Sequence, residues 1–372
     1  MSKLEECILG DLVEFQRGYD LPKSKFVEGK YPVQSSNGIL GYHNEYKVEG
    51  PGITIGRSGT VGNPHLIREN FFPHNTSLFV KEFKGNDIEY IYYLLQYLDL
   101  GNQKSGSGVP TMNRNHLHPI KIRAYRDKTY QQRTIKILSL IDKKIQINNQ
   151  INHELEAMAK TLYDYWFVQF DFPDQNGKPY KSSGGKMVYN PELKREIPEG
   201  WGNSTLGEFA DLYQPKTISD KEMIEDGEYL VYGANGNIGR YSEYNHEDSM
   251  VTISCRGNCG IINVTRPYSW ITGNSMVVKP KDDIYNIDYI SNLLLSLSIS
   301  SVITGSVQKQ LTRTSLVPLK IIIPNKEIIE KYRAITNVSF EKRKAIQIEV
   351  EQLTQLRDWL LPMLMNGQVK VE

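Results

Sequence analysis

The sequence predicts an α+β fold: two α+β domains separated by a pair of long antiparallel, coiled-coil-like helices, arranged as an internal pseudo-two-fold repeat. Three observations predict it. The chain repeats itself with a period near 198 residues, each copy contains short β-type runs, and each copy ends in a long apolar stripe at helical spacing. A length of 372 residues, with 39% apolar and 23% charged residues, fits two globular domains.

Three blocks in the same order carry the repeat. Residues 31–46 match 229–244 at seven of sixteen positions, 53–81 match 251–279 at eight of twenty-nine, and 105–122 match 304–321 at seven of eighteen. Because the blocks keep their order along the chain, an accidental match is a poor explanation. We therefore expect two domains of the same fold.

The first part of each copy is predicted to be a compact α+β domain. β-type runs such as Gly52–Ile55 and Met250–Ser254 alternate with Gly and Asn turns. A short helical patch follows in each copy, at Ile88–Tyr97 and Ile287–Leu297.

The second part of each copy is predicted to be one long helix. The apolar stripe extends over about five heptads without Gly or Pro, which is typical of a coiled coil. The stripe consists of Ile135, Leu138, Ile141, Ile145, Ile151, Leu155, Met158 and Leu162 in the first copy, and of Ile335, Val338, Ile346, Val350, Leu353, Leu356 and Leu360 in the second. Packing of each helix on its own domain alone is the alternative.

These patterns divide the chain into five segments. The predicted domains are 1-127 and 204-325, the central long helix is 128-168, the linker is 169-203, and the C-terminal long helix with its tail is 326-372. The linker is rich in Gly, Ser, Pro and Lys, which predicts a tether between the two copies.

Composition limits the class of protein. The chain shows no apolar signal stretch and no run of eighteen apolar residues, so we expect a cytoplasmic protein. Three cysteines without a secretion signal favour reduced thiols. Cys255 and Cys259 form a lone C-x3-C, whereas a closed zinc site needs four ligands, so we expect no bound metal.

The net charge of +1 hides basic stretches. Residues 101–136 contain eight Lys or Arg against one acid, and residues 254–281 and 302–326 contain four basic residues each and no acid. Localised basic stretches on a neutral chain are typical of a phosphate-binding surface, although solvated surface charge alone would also explain them.

Three strings resemble a known family. LYDYWFVQFDFP at 162–173, IPEGW at 197–201 followed by LGE at 206–208, and LRDWLLPMLMNGQV at 356–369 are similar to the conserved regions of type I restriction-modification specificity subunits. The resemblance covers the whole chain, including its two-copy layout. One departure is that the second helix begins KEIIEKYRAI, whereas the first copy shows the glutamine-led pattern QQRTIKIL.

The resemblance implies a function and partners. It implies two target-recognition domains joined by two antiparallel helices, which read a bipartite, asymmetric site on double-stranded DNA. It further implies two methyltransferase (modification) subunits as partners, and restriction/translocase subunits for cleavage. We expect no cofactor on this chain, with S-adenosylmethionine, ATP and magnesium on the partner subunits, and no membrane contact.

The chain lacks the expected motifs of an enzyme. It contains no G-x-x-x-x-G-K-[ST] loop for ATP and no Asn-Pro-Pro-aromatic or Asp-Pro-Pro-aromatic loop of an adenine methyltransferase. Asp174, Glu192 and Lys194 fit the spacing of a nuclease metal site, but they lie at either side of the predicted tether, where nothing would hold magnesium rigidly. We therefore expect no catalytic residue.

Loop residues of the two copies suit DNA recognition. Basic side chains can hold phosphates, while Arg, Asn, Gln, Ser and Thr can reach base edges. The candidate DNA-binding residues are Arg57, Ser58, Arg68, His74, Asn75, Thr76, Lys104, Ser105, Thr111, Asn113 and Arg114 in the first copy, and Arg256, Asn258, Arg266, Asn274, Thr304, Gln308, Lys309, Gln310, Thr312 and Arg313 in the second. Residues shared by both copies are expected to hold phosphate or the fold, and differing residues to read bases.

The helix pair is expected to act as a rigid spacer, through Leu138, Ile141, Ile145, Leu155, Leu162, Ile346, Val350, Leu353, Leu356 and Leu360. Two alternatives from other classes are open at this point. A methyltransferase or nuclease fused to recognition domains would be active as the lone chain. A scaffold that does not bind DNA would bind partner subunits without salt-dependent affinity for DNA.

Overall fold

The computed structural model describes residues 3–102, 111–305 and 309–370. The chain divides into two compact units, Met1–Ile147 with Glu349–Glu372, and Asn148–Ile348. Each unit contains one copy of the repeat and part of both long helices, whereas the sequence assigned the helices to segments of their own.

The described part of the first unit contains three small sheets. Its elements are β1 (Glu5–Ile8), β2 (Glu14–Arg17), β3 (Tyr31–Ser35), β4 (Gly38–His43), β5 (Gly52–Gly56), β6 (Pro64–Ile67), β7 (Phe72–Pro73), β8 (Ser77–Glu82), α1 (Ile88–Tyr97), α2 (Arg114–Leu117), β9 (Lys121–Ala124) and the start of α3 (Lys128–Tyr163). The strand orders are β2-β8-β5-β6, β4-β3-β7 and β1-β9.

The second unit repeats this plan after an added hairpin. Its elements are β10 (Met187–Asn190), β11 (Arg195–Pro198), β12 (Gly202–Thr205), α4 (Leu206–Phe209), β13 (Ala210–Tyr213), β14 (Tyr229–Gly233), β15 (Gly236–Tyr241), β16 (Val251–Ser254), β17 (Ile262–Val264), β18 (Ser269–Ile271), β19 (Ser275–Pro280), α5 (Ile287–Ser296), α6 (Arg313–Leu316), β20 (Lys320–Ile323) and α7 (Lys326–Met365). The orders β13-β19-β16-β17, β15-β14-β18 and β12-β20 match those of the first unit, and β10 pairs with β11. The predicted α+β repeat is therefore confirmed.

The hairpin matched best between the copies has the same turn in both. Gly38 and Gly236 begin the second strand at φ of 101° and 93°, a conformation that side chains with a Cβ rarely adopt. Both hairpins also shift register two pairs before the turn, at Val33/Gln34 and Val231/Tyr232. The shared Asn-Gly pair thus reflects a backbone requirement.

The helical patch of each copy is positioned by a side-chain cap. The side chains of Asp87 and Asn286 accept hydrogen bonds from the backbone N–H of Tyr90 and Tyr289. Tyr90 and Tyr289 are themselves buried, each in the core of its unit. The observed helices are Ile88–Tyr97, as predicted, and Ile287–Ser296, one residue shorter than predicted.

The long helices pack antiparallel within each unit, as the sequence predicted. In the first unit Arg357 pairs with Asp142 at 3.0 Å and Glu349 pairs with Lys144 at 3.4 Å. In the second unit the Tyr332 hydroxyl donates to the Ala159 carbonyl oxygen at 3.3 Å. In both units, later residues of one helix meet earlier residues of the other.

The predicted apolar stripe is correct over part of its length. Leu138 and Ile141 are buried, and Ile145, Leu155, Leu162, Ile346, Val350, Leu353 and Leu360 are partly buried. The prediction was wrong for four residues of the stripe, whose side chains are exposed: Met158 (64%), Ile335 (51%), Val338 (72%) and Leu356 (42%). Ala159, Ile328, Ile329 and Tyr332 are buried in those stretches instead.

The segment predicted to be a tether is folded as part of the second unit. A π-helical turn at Asp164–Val168 ends α3, and Phe170 and Phe172 are buried beyond it. The Phe172 ring stacks on Trp201, with centroids 5.0 Å apart. The Gly and Ser residues of this segment lie in turns between buried aromatic residues. The prediction of a flexible tether was therefore wrong.

Within the ranges that the model describes, no helix combines the length and the apolar character needed to cross a membrane.

Candidate nucleic-acid interface

Three predicted loops of the first unit come together at one edge. The backbone N–H groups of Arg57 and Ser58 both donate to the Thr76 carbonyl oxygen, at 2.8 and 3.1 Å. The N–H of Met112 donates to the Arg57 carbonyl at 2.8 Å, and Ser58 forms an isolated bridge with Thr111. Main-chain bonds therefore hold candidates from three separate stretches of sequence side by side.

The second unit builds the same junction. The N–H of Cys255 donates to the Asn274 carbonyl at 2.9 Å, and the N–H of Leu311 donates to the Cys255 carbonyl at 3.0 Å. Arg256 and Gln310 form the bridge that corresponds to Ser58 and Thr111. The scaffold is shared by the two units, while the side chains on it differ.

The candidates differ in exposure. Thr111, Asn113, Arg114, Arg68, Arg256, Asn258, Thr304, Lys309, Gln310, Thr312 and Arg313 are exposed, while Arg57, Ser58, His74, Asn75, Thr76, Arg266 and Asn274 are half-buried. Lys104, Ser105 and Gln308 lie outside the described residues. Exposed Arg, Asn, Gln and Thr next to one another can donate to and accept from a nucleic acid.

Comparison with known proteins decides the family. The family model described as "Type I restriction modification DNA specificity domain" matches residues 1–157 and 198–352, one region in each copy. The chain belongs to this type I DNA specificity family. It is a DNA-recognition component and not an enzyme.

Curated specificity subunits are similar over most of the chain. The MjaIX specificity subunit of Methanocaldococcus jannaschii is 24% identical over 345 residues, which is 86% of this chain and 76% of that protein. The HindI specificity subunit of Haemophilus influenzae is 24% identical over 318 residues, 65% of this chain and 68% of that protein. The solved type I S subunit from M. genitalium shares the fold, with a TM-score of 0.58 at 19% identity over 98% of this chain and 96% of that one.

Short capped helices carry the basic pair shared by both copies of this specificity chain. Asn113 Oδ1 accepts from the Asn115 N–H at 3.0 Å, and Thr312 Oγ1 accepts from the Ser315 N–H at 3.2 Å. Arg114 and Arg313 are the first residues of α2 and α6. The caps fix the backbone position from which each of these two exposed arginine side chains extends.

Three candidates of the first unit are already engaged within the domain. The ring nitrogens of His74 lie 3.1 Å from Thr76 Oγ1 and 3.2 Å from the Leu21 carbonyl oxygen. Asn75 Nδ2 donates to the carboxylate of Asp20, and Arg57 Nη1 donates to the Asn75 carbonyl at 3.4 Å. His74 and Asn75 therefore shape the junction, and their side chains have less free capacity to contact bases.

The other shared pair of arginines lies against protein partners. Arg68 Nη1 is 2.8 Å from Glu89 Oε1 on α1. Arg266 Nη2 donates to the Gln347 carbonyl of α7 at 3.5 Å. The sequence left phosphate and fold as alternatives for this pair, and these contacts favour the fold.

Sequence comparison missed a further loop at each junction. The Tyr19 N–H donates to the Pro73 carbonyl at 2.8 Å, and Gln214 Nε2 donates to the Gly273 carbonyl at 2.8 Å. These loops follow β2 and β13. Exposed Arg17 is the last residue of β2, where the first loop begins, and exposed Lys216 lies within the second loop. They lie outside the matched blocks, so only a basic residue soon after a strand could have signalled them.

The local environment shifts the pKa of two residues, Cys255 and His118, in opposite directions. Burial raises the pKa of the Cys255 thiol to about 11, so this residue is a neutral group where the first unit has Arg57. Burial, together with the positive charges of Lys84 and Arg114, lowers the pKa of His118. The neutral ring of His118 accepts the Phe15 N–H through Nε2 at 3.0 Å.

The residues with nuclease-like spacing are engaged in other contacts. Asp174 Oδ1 accepts the N–H groups of Asn176 and Lys178, both at 2.8 Å, and the Glu192 carboxylate pairs with Lys320. Lys194 is a turn residue with a φ of 53°. Among the described residues, no group of three or more His, Cys, Asp or Glu side chains could hold a metal ion.

Proposed function

We propose that this specificity chain reads a bipartite, asymmetric site on double-stranded DNA, one half-site with each unit. The junction of three loops, built twice by the same main-chain bonds, supports this proposal. Equivalent positions carry different side chains: Arg57 against Cys255, and Ser58 against Arg256. Two recognition surfaces with one scaffold and different side chains read different base sequences.

The chemical division of labour at each surface follows from side-chain type. Arg114 and Arg313 are shared by the units and exposed, so they contact phosphates and set the position of each unit on the duplex. Ser58, Arg256 and Gln310 differ from their counterparts and contact base edges. Lys104, Ser105 and Gln308 remain candidates from the sequence alone.

The proposed partners are two methyltransferase subunits and, for cleavage, translocating restriction subunits. Support comes from the relatives, which are named as specificity subunits of type I restriction enzymes. S-adenosylmethionine, ATP and magnesium would be bound by these partners. The antiparallel helices, held together by stripe residues such as Leu138 and Leu353, would form the rigid spacer between the half-sites.

Single-molecule sequencing of methylated adenines tests this function in cells that contain the chain and its methyltransferase. We expect a split motif whose two half-sites differ. The double variant Cys255→Arg with Arg256→Ser gives the second junction the residues of the first. It should change the half-site read by the second unit and leave the other half-site unchanged. A palindromic motif in the wild type, or a variant that changes both half-sites, would contradict the proposal.

A further inference from the structure

The two-stranded sheet β12-β20 of the second unit is contacted by Asn190 and Glu192, which lie at the turn of the hairpin β10-β11. Lys320 Nζ donates to the Glu192 carbonyl oxygen at 3.0 Å and also pairs with the Glu192 carboxylate. Asn190 Nδ2 donates to Asn203 Oδ1 at 2.8 Å. Leu193 and Ile322 are partly buried against the core of this unit.

The first unit contains the same sheet in the same register. Strand β1 pairs with β9 from Glu5↔Ala124 to Ile8↔Lys121, as β12 pairs with β20 from Gly202↔Ile323 to Thr205↔Lys320. Lys121 therefore occupies the position of Lys320. By the same register, Glu6 occupies the position of Asn203, and Arg123 that of Ile322.

In the described part of the first unit, this sheet lies beside an open depression in place of a hairpin. The depression has a volume of about 670 Å³, and its lining includes two acids, Glu6 and Asp11, and two bases, Lys121 and Arg123. Asp11 Oδ2 already accepts the Ile8 N–H at 3.0 Å. That volume lies within the range of sites that bind ligands in proteins. Ile8 is 38% exposed at its edge, so the surface combines an apolar contact with both signs of charge.

We propose that this depression binds a hairpin of a partner protein that carries a carboxylate in its turn, seated as residues 187–198 are seated on the second unit. Lys121 takes a carboxylate, as Lys320 takes that of Glu192. Glu6 takes an amide donor, as Asn203 takes that of Asn190. Arg123 adds a second cation where the second unit has an apolar residue, so a ligand carboxylate has a second possible partner beside Lys121.

The chain's own hairpin is the probe for this surface. A fluorescent peptide with the sequence of residues 185–203 is titrated into the full chain, and its anisotropy is measured at low and at moderate salt. We expect saturable binding that weakens as salt rises, because the contact depends on charge. Cys7 lies in the depression, so the bound peptide should slow alkylation of Cys7 and leave alkylation of Cys259 unchanged.

Charge reversal makes the test specific. Lys121→Glu should weaken peptide binding at least tenfold, and a peptide carrying Glu192→Lys should restore it on that variant. Lys143→Glu is the control, because Lys143 is exposed on α3 and the substitution makes the same change of charge. Lys121 is also exposed, so its variant should fold, which circular dichroism checks.

Three results would overturn the proposal. The first is the absence of saturable binding up to millimolar peptide, and the second is binding that Lys121→Glu leaves unchanged. The third is protection of Cys7 by a short DNA duplex in place of the peptide, which would make the surface part of the DNA contact. Each result leaves the DNA-reading function untouched, because that function is tested by methylated motifs.

Discussion

Arg357 Nη1 on α7 lies 3.0 Å from Asp142 Oδ1 on α3, and each side chain is about three-quarters shielded from solvent. The other oxygen of the same carboxylate accepts the Tyr93 hydroxyl at 2.6 Å. Tyr93 is on α1, so one carboxylate joins the recognition domain of the first unit to both long helices.

Removing Arg357 should lower the free energy of unfolding more than removing Lys144, whose ion pair is exposed. Arg357→Ala leaves the shielded Asp142 carboxylate with Tyr93 alone, so we expect the free energy of unfolding to fall by about 2 kcal/mol. Lys144→Ala breaks the exposed pair with Glu349 and should cost less than about 0.5 kcal/mol. Urea denaturation followed by circular dichroism measures both. Equal losses would show that shielding of the carboxylate has no effect.

His118 should make stability depend on pH near neutrality. Its pKa in the folded state is lowered from the ordinary 6.5, mainly by burial, so the folded chain binds fewer protons than the unfolded chain below that value. The stabilisation is complete above about pH 6.5 and is lost as the pH falls through the lowered pKa. His118→Gln keeps an acceptor for the Phe15 N–H without titrating. It should flatten the decline in unfolding free energy between pH 7.5 and 5, whereas the exposed His116→Gln should not.

Arg114 and Arg313 should determine the affinity for DNA and not which base sequence is read. If each holds one phosphate, Arg114→Ala and Arg313→Ala should weaken binding to specific and random duplexes alike. Each should also make the slope of log affinity against log salt shallower by about one unit. Lys143→Ala serves as the control away from the junction. A changed methylated motif with an unchanged salt slope would assign these arginines to bases instead.

Asn113 combines a capping role with a proposed reading role, and two substitutions separate them. Asn113→Ala removes the cap of α2 and should cost about 1 kcal/mol, whereas Asn113→Ser keeps a capping oxygen. Both remove the amide group, so both should relax the half-site read by the first unit. Thermal unfolding and sequencing of methylated adenines give the two readouts. A Ser variant with the wild-type motif would leave Asn113 as a cap only.

Repeat matching predicted the fold because its turns, strands and short helices depend on short-range signals. The Asn-Gly turn before Gly38, the β-runs and the helix Ile88–Tyr97 follow from local conformation and spacing. The block that contains Asn113 was aligned with the one that contains Thr312, but the main-chain bonds that bring the three loops of each unit together were not predicted. The partners of His74 and Arg68 were not predicted either, because they are distant in the sequence.

Errors in the long helices have a different origin. Several apolar residues lie at acceptable spacing, and an apolar pattern alone does not decide which of two neighbours faces inward. Met158 was chosen where Ala159 is buried, and Val338 is exposed close to buried Thr336. The prediction of a tether was wrong because composition does not show which residues are buried: the rings of Phe172 and Trp201 stack on each other at the two ends of a stretch rich in Gly, Ser, Pro and Lys.

The division of the chain has a consequence for its synthesis on the ribosome. The second unit, Asn148–Ile348, is contiguous, whereas the first needs Glu349–Glu372 as well as its own N-terminal residues. Leu364 and Met365 belong to the core of the first unit, so that core is incomplete until the end of α7 has been made. Domains generally fold in the order in which they are made, but here the half that emerges first is completed last. A nascent chain therefore leaves the positions of Leu364 and Met365 in this core unfilled until α7 has been made, and a chaperone or an early partner would bind to the apolar surface left exposed.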